Sequence, residues 1–380
     1  MILLIYAIVM LVAWVGVTLL LIVNTRKIRF MKDLSPHLAQ APAVAIVIAV
    51  KDEATEVEEA LQSVCGLQYP NFRIIVINDR STDGTAAILQ RMAAKDTRLT
   101  VITIDKLPGG WLGKNHALYK GYCASSEEWL LFTDADVKFQ PHALQKAMNY
   151  VQQKSLDHLT ALAEITSPSS LFVAVMNVFA IMLDIKLKPW TIADPKSSSS
   201  MGVGAFNLVK RTIYEKAGTH VMIALRPDDD LKLGERIKRA GGRQDVLYGE
   251  KEISLAWYSS LSAFVNGLMK NMYSVYNYRF IPAMGTALVT FLILALPVPL
   301  LLVAGAPYHW IALAIIASQL ALLLGKKGIH AKCWHALIIP FAGLVMVYII
   351  IRSAIVTERQ GGIYWRSSFY SLKELRRQVW

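Results

Sequence analysis

The sequence predicts an α/β domain on a mainly parallel sheet, flanked at both ends by apolar helices long enough to cross a bilayer. Three observations carry this expectation. Four short runs read as strands, 43–50, 72–77, 99–104 and 129–132, the first and last with the continuous apolar pattern of buried ones. Segments of helical character separate the first three, and strands alternating with helices imply crossovers and a parallel sheet. Mean hydropathy is +0.39 and apolar residues make up 54%, too much for an ordinary soluble enzyme, with the excess at the two ends.

Residues 2–23 contain no charged residue and suffice for one membrane-crossing helix. They lack the basic start and shorter apolar core of a cleaved signal peptide. Arg26, Lys27, Arg29 and Lys32 follow at once, so the next domain is expected in the cytoplasm. Residues 25–42, with two prolines near their end, read as a basic linker. A catalytic domain is expected over 43–255, interfacial helices over 256–281, about three crossings within 282–352 and an amphipathic basic-aromatic tail over 353–380.

Each domain strand ends in acids or leads to a polar loop. The first runs into Asp52 and Glu53, with Thr55 as N-cap for a helix to Ser63. The second runs into Asn78-Asp79-Arg80-Ser81-Thr82-Asp83-Gly84-Thr85, followed by a helix to about Lys95. The strand at 129–132 ends in Asp134-Ala135-Asp136. Asp favours caps, so any one of these acids is unremarkable; three groups at one sheet edge, where open α/β sheets bind ligands, are not. Paired carboxylates there suit Mg²⁺ or Mn²⁺ carrying a diphosphate. The Gly-rich stretch Leu107-Pro-Gly-Gly-Trp-Leu-Gly-Lys-Asn-His-Ala-Leu118 lets backbone approach a ligand, with Lys114 as a point charge for phosphate.

The formal charge is +12, and much of the basic excess lies beside the apolar runs. That favours anionic lipid and phosphate over nucleic acid, for which no aromatic-basic stripe appears. Cys65, Cys123 and Cys333 lack metal or disulfide spacing. No phosphate loop of kinase type and no dinucleotide fingerprint is present.

The runs Val-Ile-Asn-Asp-Arg-Ser-Thr-Asp-Gly-Thr and Phe-Thr-Asp-Ala-Asp resemble the inverting family-2 glycosyltransferases, over roughly residues 43–250. The resemblance implies a GT-A fold and an inverting, metal-dependent transfer from a nucleotide sugar, expected to be UDP-linked. It implies nucleoside contacts from Glu53 (alternatively Asp52) and Asp79, with Asp134 on ribose and Asp136, together with Asp134, on the metal. Gly-Trp-Leu-Gly-Lys-Asn-His-Ala is similar to a run in the membrane subgroup that glycosylates carotenoid and related isoprenoid lipids. That similarity supports Lys114 as a phosphate contact and implies a lipid acceptor. Gly204, Ala205 and Phe206 fall in the region that lines the acceptor side of the family.

In Arg226-Pro-Asp-Asp-Asp-Leu-Lys-Leu-Gly, acids at a helix start also suit the helix dipole. The family places a Glu-Asp pair before Leu-Gly, so Asp230 inherits the catalytic base and Asp229 the preceding acid; Asp228 leaves the register open by one. Polymer-forming members carry Gln-x-x-Arg-Trp after the base. The corresponding region, Trp257-Tyr-Ser-Ser-Leu and Gly267-Leu-Met-Lys-Asn-Met-Tyr273, lacks it, which argues against processive synthesis. The nearest alternative activity is a polyprenyl-phosphate sugar synthase, and an alternative of another class is a silent membrane adaptor retaining the fold.

Residues 171–187 are apolar but short and charged near their end, which suggests an interfacial or buried helix. Residues 282–325 carry no charge and would extend roughly 66 Å as helix, two crossings of a ~30 Å core. Gly305-Ala-Pro307 is the natural break, and residues 333–351 supply a third crossing. Three crossings leave the tail outside, whereas Arg352, Arg359, Arg366, Lys373, Arg376 and Arg377 favour inside. A cytoplasmic interfacial tail, with a re-entrant segment at Pro297 and Pro299, reconciles the two.

Overall fold

The computed structural model describes residues 1–365 and 368–377, so Arg366 lies outside the described residues, as do the side chains of Lys270 and Trp365. The chain forms two compact units. The first comprises residues 28–166 and 189–257 and is built on an eight-stranded sheet. Its strand order is Arg29–Phe30, Gln244–Tyr248, His158–Leu162, Asn207–Lys210, Trp129–Asp134, Val44–Val50, Phe72–Asp79, Leu99–Ile104. All neighbours are parallel except Asn207–Lys210, which is antiparallel to both of its own.

The unbroken apolar strands follow from helices covering both faces of the sheet, because successive side chains point to opposite sides. Val44, Ile46, Ile48, Ile74 and Val76 enter one core, whereas Ala45, Val47, Ile75 and Ile77 enter the other. Register places the strand ends level: Ala49 pairs with Asp134 and Val50 with Asn78. The acidic ends therefore share one edge of the sheet.

Local differences from the expected elements have physical causes. The segment read as linker contributes the edge strand Arg29–Phe30, paired with Leu247 and Tyr248. The helix expected from Thr55 starts at Val57, because the Glu53 carbonyl accepts from the Val57 N–H in place of a side-chain cap. A helix not expected from the sequence, Gly113–Cys123, follows the Gly-rich stretch and puts Lys114 in its first turn. Glycines and a mixed apolar pattern hide that helix from a reading by periodicity.

The second unit comprises, among the described residues, 1–27, 167–188 and those from 258 to 377. Residues 167–188, expected within the 43–255 domain, belong here. Among the described residues four helices are long and apolar enough to cross a membrane: Ile2–Thr25, one beginning at Ser170, Tyr308–Gly325 and His335–Gln360. The second is the helix expected at 171–187 as interfacial or buried; it is long and apolar enough to cross, and half of it is buried within the protein. Its charge is matched, since Asp184 pairs with Lys326 at 2.8 Å, the two side chains 7% and 2% exposed.

Within 282–352 only two helices qualify by themselves, against about three expected. Phe280–Ala295 bends by 117° against Leu261–Tyr276. Its last turn, Phe291–Ala295, is π-helical, and Pro297 begins the separate helix Pro297–Val303. A further correction concerns the tail boundary: the last long helix runs on to Gln360, past the expected end at 352. After Gly361 come a two-stranded hairpin, Gly362–Trp365 with Ser368–Ser371, and the helix Leu372–Arg377.

Candidate active site

At the carboxyl edge of the sheet, Lys114, Asp134, Gly204, Asn207, Asp229 and Asp230 line one small cavity. Lys114 Nζ lies 2.7 Å from Asp134 Oδ1 and 3.7 Å from Asp229 Oδ1. Burial by itself would lower the Lys114 pKa, but Asp134, Asp229 and Asp230 outweigh it and push the ammonium well above its ordinary range. A lysine held by three carboxylates is a fixed positive charge.

Gly204 faces this group. A Cβ there would sit 2.5 Å from Asp134 Oδ2 and 3.3 Å from Lys114 Nζ, so only glycine admits the approach. Its N–H donates to Asp230 Oδ2 at 2.9 Å, and the Leu231 N–H donates to Asp230 Oδ1 at 2.7 Å. Both oxygens of Asp230 are thereby oriented by backbone. Burial raises the Asp230 pKa, and burial raises that of Asp229 to about 7, in each case against the lowering effect of Lys114.

The three acids before Leu231 have different fates. Asp228 accepts both Nε and Nη2 of Arg226, at 2.9 and 2.8 Å, and the Arg226 side chain is fully buried. Asp229 and Asp230 line the cavity, and Asp228 does not.

Asp79 ends its strand 3% exposed, held by Arg80 through Nε and Nη2 at 2.8 and 3.0 Å. A Cβ on Gly113 would overlap Asp79 Oδ2 at 2.2 Å, so the helix bearing Lys114 can begin only with glycine there. Asp52 is taken up by the neighbouring loop, accepting from the Thr82 N–H at 2.7 Å. Asp83 does similar work, accepting from the Ala54 and Thr85 N–H groups. Glu53 lies nearer the Asp-Ala-Asp pair: with Asp134 and Glu56, after burial itself, it raises the Asp136 pKa to about 7.

That crowding of carboxylates is what a divalent cation would relieve, so the residues present fit Mg²⁺ or Mn²⁺. Among the described residues no group of three or more His, Cys, Asp or Glu is arranged to hold a metal ion. A pair completed by phosphate oxygens and water is the usual way Mg²⁺ is held.

Of the acceptor-side residues only Gly204 reaches the cavity. Ala205 and Phe206 are corrected to core positions: Phe206 is fully buried beside Phe139, and both carbonyls are tied down by Thr133 and Thr160 hydroxyls.

Sequence reasoning passed over Asn115 and His220. Asn115 Nδ2 donates to the carbonyls of Ile223, Ala224 and Arg226, at 2.8, 3.2 and 2.9 Å. It thus fastens the segment that leads into Asp228–Asp230 to the helix bearing Lys114. The signal was its place next to Lys114 in the quoted run. His220, in an unremarkable stretch, lines the cavity and offered no local signal.

Residues 45–215 match the family model described as Glycosyl transferase family 2. They form a family 2 glycosyltransferase domain. Two Staphylococcus aureus proteins, from strains MRSA252 and USA300, are each 26% identical to this chain over 179 residues. Both are named 4,4'-diaponeurosporenoate glycosyltransferase, and the match covers 47% of this chain and 46% of theirs, so it spans about half the length of these relatives. Among solved structures, a mannosyltransferase from Pyrobaculum calidifontis in complex with GDP-Man and Mn²⁺ is similar, with a TM-score of 0.54 and 18% identity. The likeness covers 93% of this chain and 98% of that one. At such identity it shows fold alone, and the fold of the glycosyltransferase domain is of the GT-A kind that the strand pattern and motifs lead one to expect.

Proposed function

We propose that this domain is an inverting glycosyltransferase that moves one sugar from a nucleotide sugar, UDP-linked by expectation, to a hydroxyl or carboxyl of a membrane lipid. The observation that carries this reading is the convergence of Lys114, Asp134, Gly204, Asp229 and Asp230, from separate stretches of chain, on one cavity. Asp230 is the base. It takes the acceptor proton while the acceptor oxygen bonds to the anomeric carbon, and the bond to the diphosphate breaks with its electron pair on the leaving group. Backbone N–H groups fix its orientation, and no covalent nucleophile is needed. Lys114, with Asp229 beside it, stabilises the leaving diphosphate. Asp136 and Asp134 would hold the divalent ion, which when bound neutralises charge on the diphosphate. Glu53 and Asp79 take the nucleoside side, and Asp52 acts through the loop it fastens.

A lipid acceptor at the inner membrane, with the domain cytoplasmic, is supported by the four long apolar helices and by the basic residues Arg26, Lys27, Arg29 and Lys32. It is supported too by the relatives named for diaponeurosporenoate, and the cation by the Mn²⁺ in the fold neighbour. The test uses the full chain in lipid nanodiscs. UDP should bind in a Mn²⁺-dependent way, and Asp136→Ala should lose that dependence; unchanged affinity removes the ligand assignment. Lipids extracted from cells with and without the gene, compared by mass spectrometry, should differ by one glycosylated species, and identical profiles count against a lipid acceptor.

A further inference from the structure

The Tyr214 hydroxyl is fully buried, and among the described residues its two hydrogen-bond contacts are both to His220. It accepts from the His220 backbone N–H at 3.1 Å and lies 2.6 Å from His220 Nδ1. A buried hydroxyl proton without an acceptor is costly, so the hydroxyl donates to Nδ1. A neutral imidazole whose Nδ1 accepts carries its proton on Nε2. Neutrality follows from place: burial first, then Lys114, lower the His220 pKa to about 3. The edge-on ring of Phe132, its centroid at 4.9 Å, further fixes the orientation.

Among the described residues Nε2 has no hydrogen-bond partner, although His220 is 1% exposed and lines the cavity with Lys114 and the three aspartates. The cavity is thus lined by anionic acceptors, Asp134, Asp229 and Asp230, by the N–H donors of Lys114 and His220, and by the apolar side chains of Leu118, Phe132 and Leu233. The diphosphate that Lys114 would stabilise carries the transferred sugar with it. The lining has the chemistry that recognises a sugar: carboxylates for hydroxyl hydrogens, N–H groups for hydroxyl oxygens and apolar side chains for C–H faces.

We propose that His220 reads a hydroxyl oxygen of the transferred sugar through Nε2–H, with Tyr214 locking the tautomer, so that the pair selects the donor sugar. This rests on the sugar-transfer reading and adds a specificity residue to it.

The experiment uses the full chain in nanodiscs with Mn²⁺ and a panel of UDP-glucose, UDP-N-acetylglucosamine and GDP-mannose. On the best donor, His220→Phe should raise KM roughly ten- to a hundredfold, the range for a lost neutral hydrogen bond that strands a partner. The Kd for the matching nucleoside diphosphate should stay within about twofold, and His220→Gln, which retains an N–H donor, should recover much of the loss. An equal loss of nucleoside-diphosphate binding, or an unchanged KM, overturns the inference. A parent enzyme that turns over no donor sinks the sugar-transfer reading instead. The tautomer is then still readable in ¹⁵N-histidine spectra of parent and His220→Gln: a proton on Nδ1 overturns the inference independently of turnover.

Discussion

Replacing Asn115 by leucine tests whether the segment bearing the candidate base is held in place by a single side chain. Asn115 is 1% exposed, and its amide serves three carbonyls, those of Ile223, Ala224 and Arg226. Leucine is of similar size, so little cavity forms, but the two amide hydrogens are lost. The Arg226 carbonyl loses its Asn115 donor, at about 1–3 kcal/mol. The Ile223 and Ala224 carbonyls keep the Arg226 and Leu112 N–H groups and lose only a net hydrogen bond of about 0.5–1.5 kcal/mol, so the change amounts to about 2–4 kcal/mol. For a unit of this size that is a fall in Tm of roughly 5–15 °C. Thermal unfolding followed by intrinsic fluorescence in nanodiscs reads it directly. The carbonyls lie just before Asp228–Asp230, so donor turnover should fall more than donor binding; a 1 Å misplacement costs on the order of a hundredfold in rate. Asn115→Asp is the sharper companion, with the same outline but an acceptor facing three acceptors. Its carboxyl must stay protonated when folded, so its destabilisation should grow as pH rises from 5 to 7. Refutation would be Asn115→Leu melting within about 2 °C of the parent with unchanged turnover.

The other expectations concern charge. Asp230→Asn should abolish sugar transfer while UDP affinity holds, whereas Asp229→Asn should keep residual turnover and mainly weaken donor binding through Lys114; the reverse ranking in steady-state kinetics would move the base to Asp229. His158, wholly buried against Asn207 Oδ1, has its pKa lowered to about 4 by burial. Between pH 6.5 and 4 the unfolded chain binds a proton that the folded chain refuses, so stability is lost as pH falls, by about 3 kcal/mol in full. The difference in Tm against pH between parent and His158→Gln checks it, and parallel curves reject it. In the apolar unit, Asp184→Leu or Lys326→Leu alone leaves a buried charge unpaired and should cost about 3–5 kcal/mol, while the double leucine variant should regain most of that. Equal losses in single and double variants, by thermal unfolding, would rule the ion pair out as the cause.

What the sequence by itself determined is what local burial encodes. The runs at 43–50, 72–77 and 129–132 became neighbouring inner strands because a strand buried on both faces is apolar at nearly every position, and 99–104, with Thr100 and Thr103 exposed, became the edge strand beside them. Their acidic ends then had to meet at one edge, since parallel strands end together. The tertiary structure decided everything that depends on partners distant in the chain. Asp228 is excluded from the cavity by Arg226, and the segment is hung from Asn115, 111 residues before Arg226. Phe206 left the acceptor side because the core behind it has room for an aromatic ring. The helix starting at Ser170 joined the apolar unit because Lys326 neutralises Asp184. None of these follows from spacing or periodicity, because each is a contact whose two halves carry no mark of one another until the chain closes.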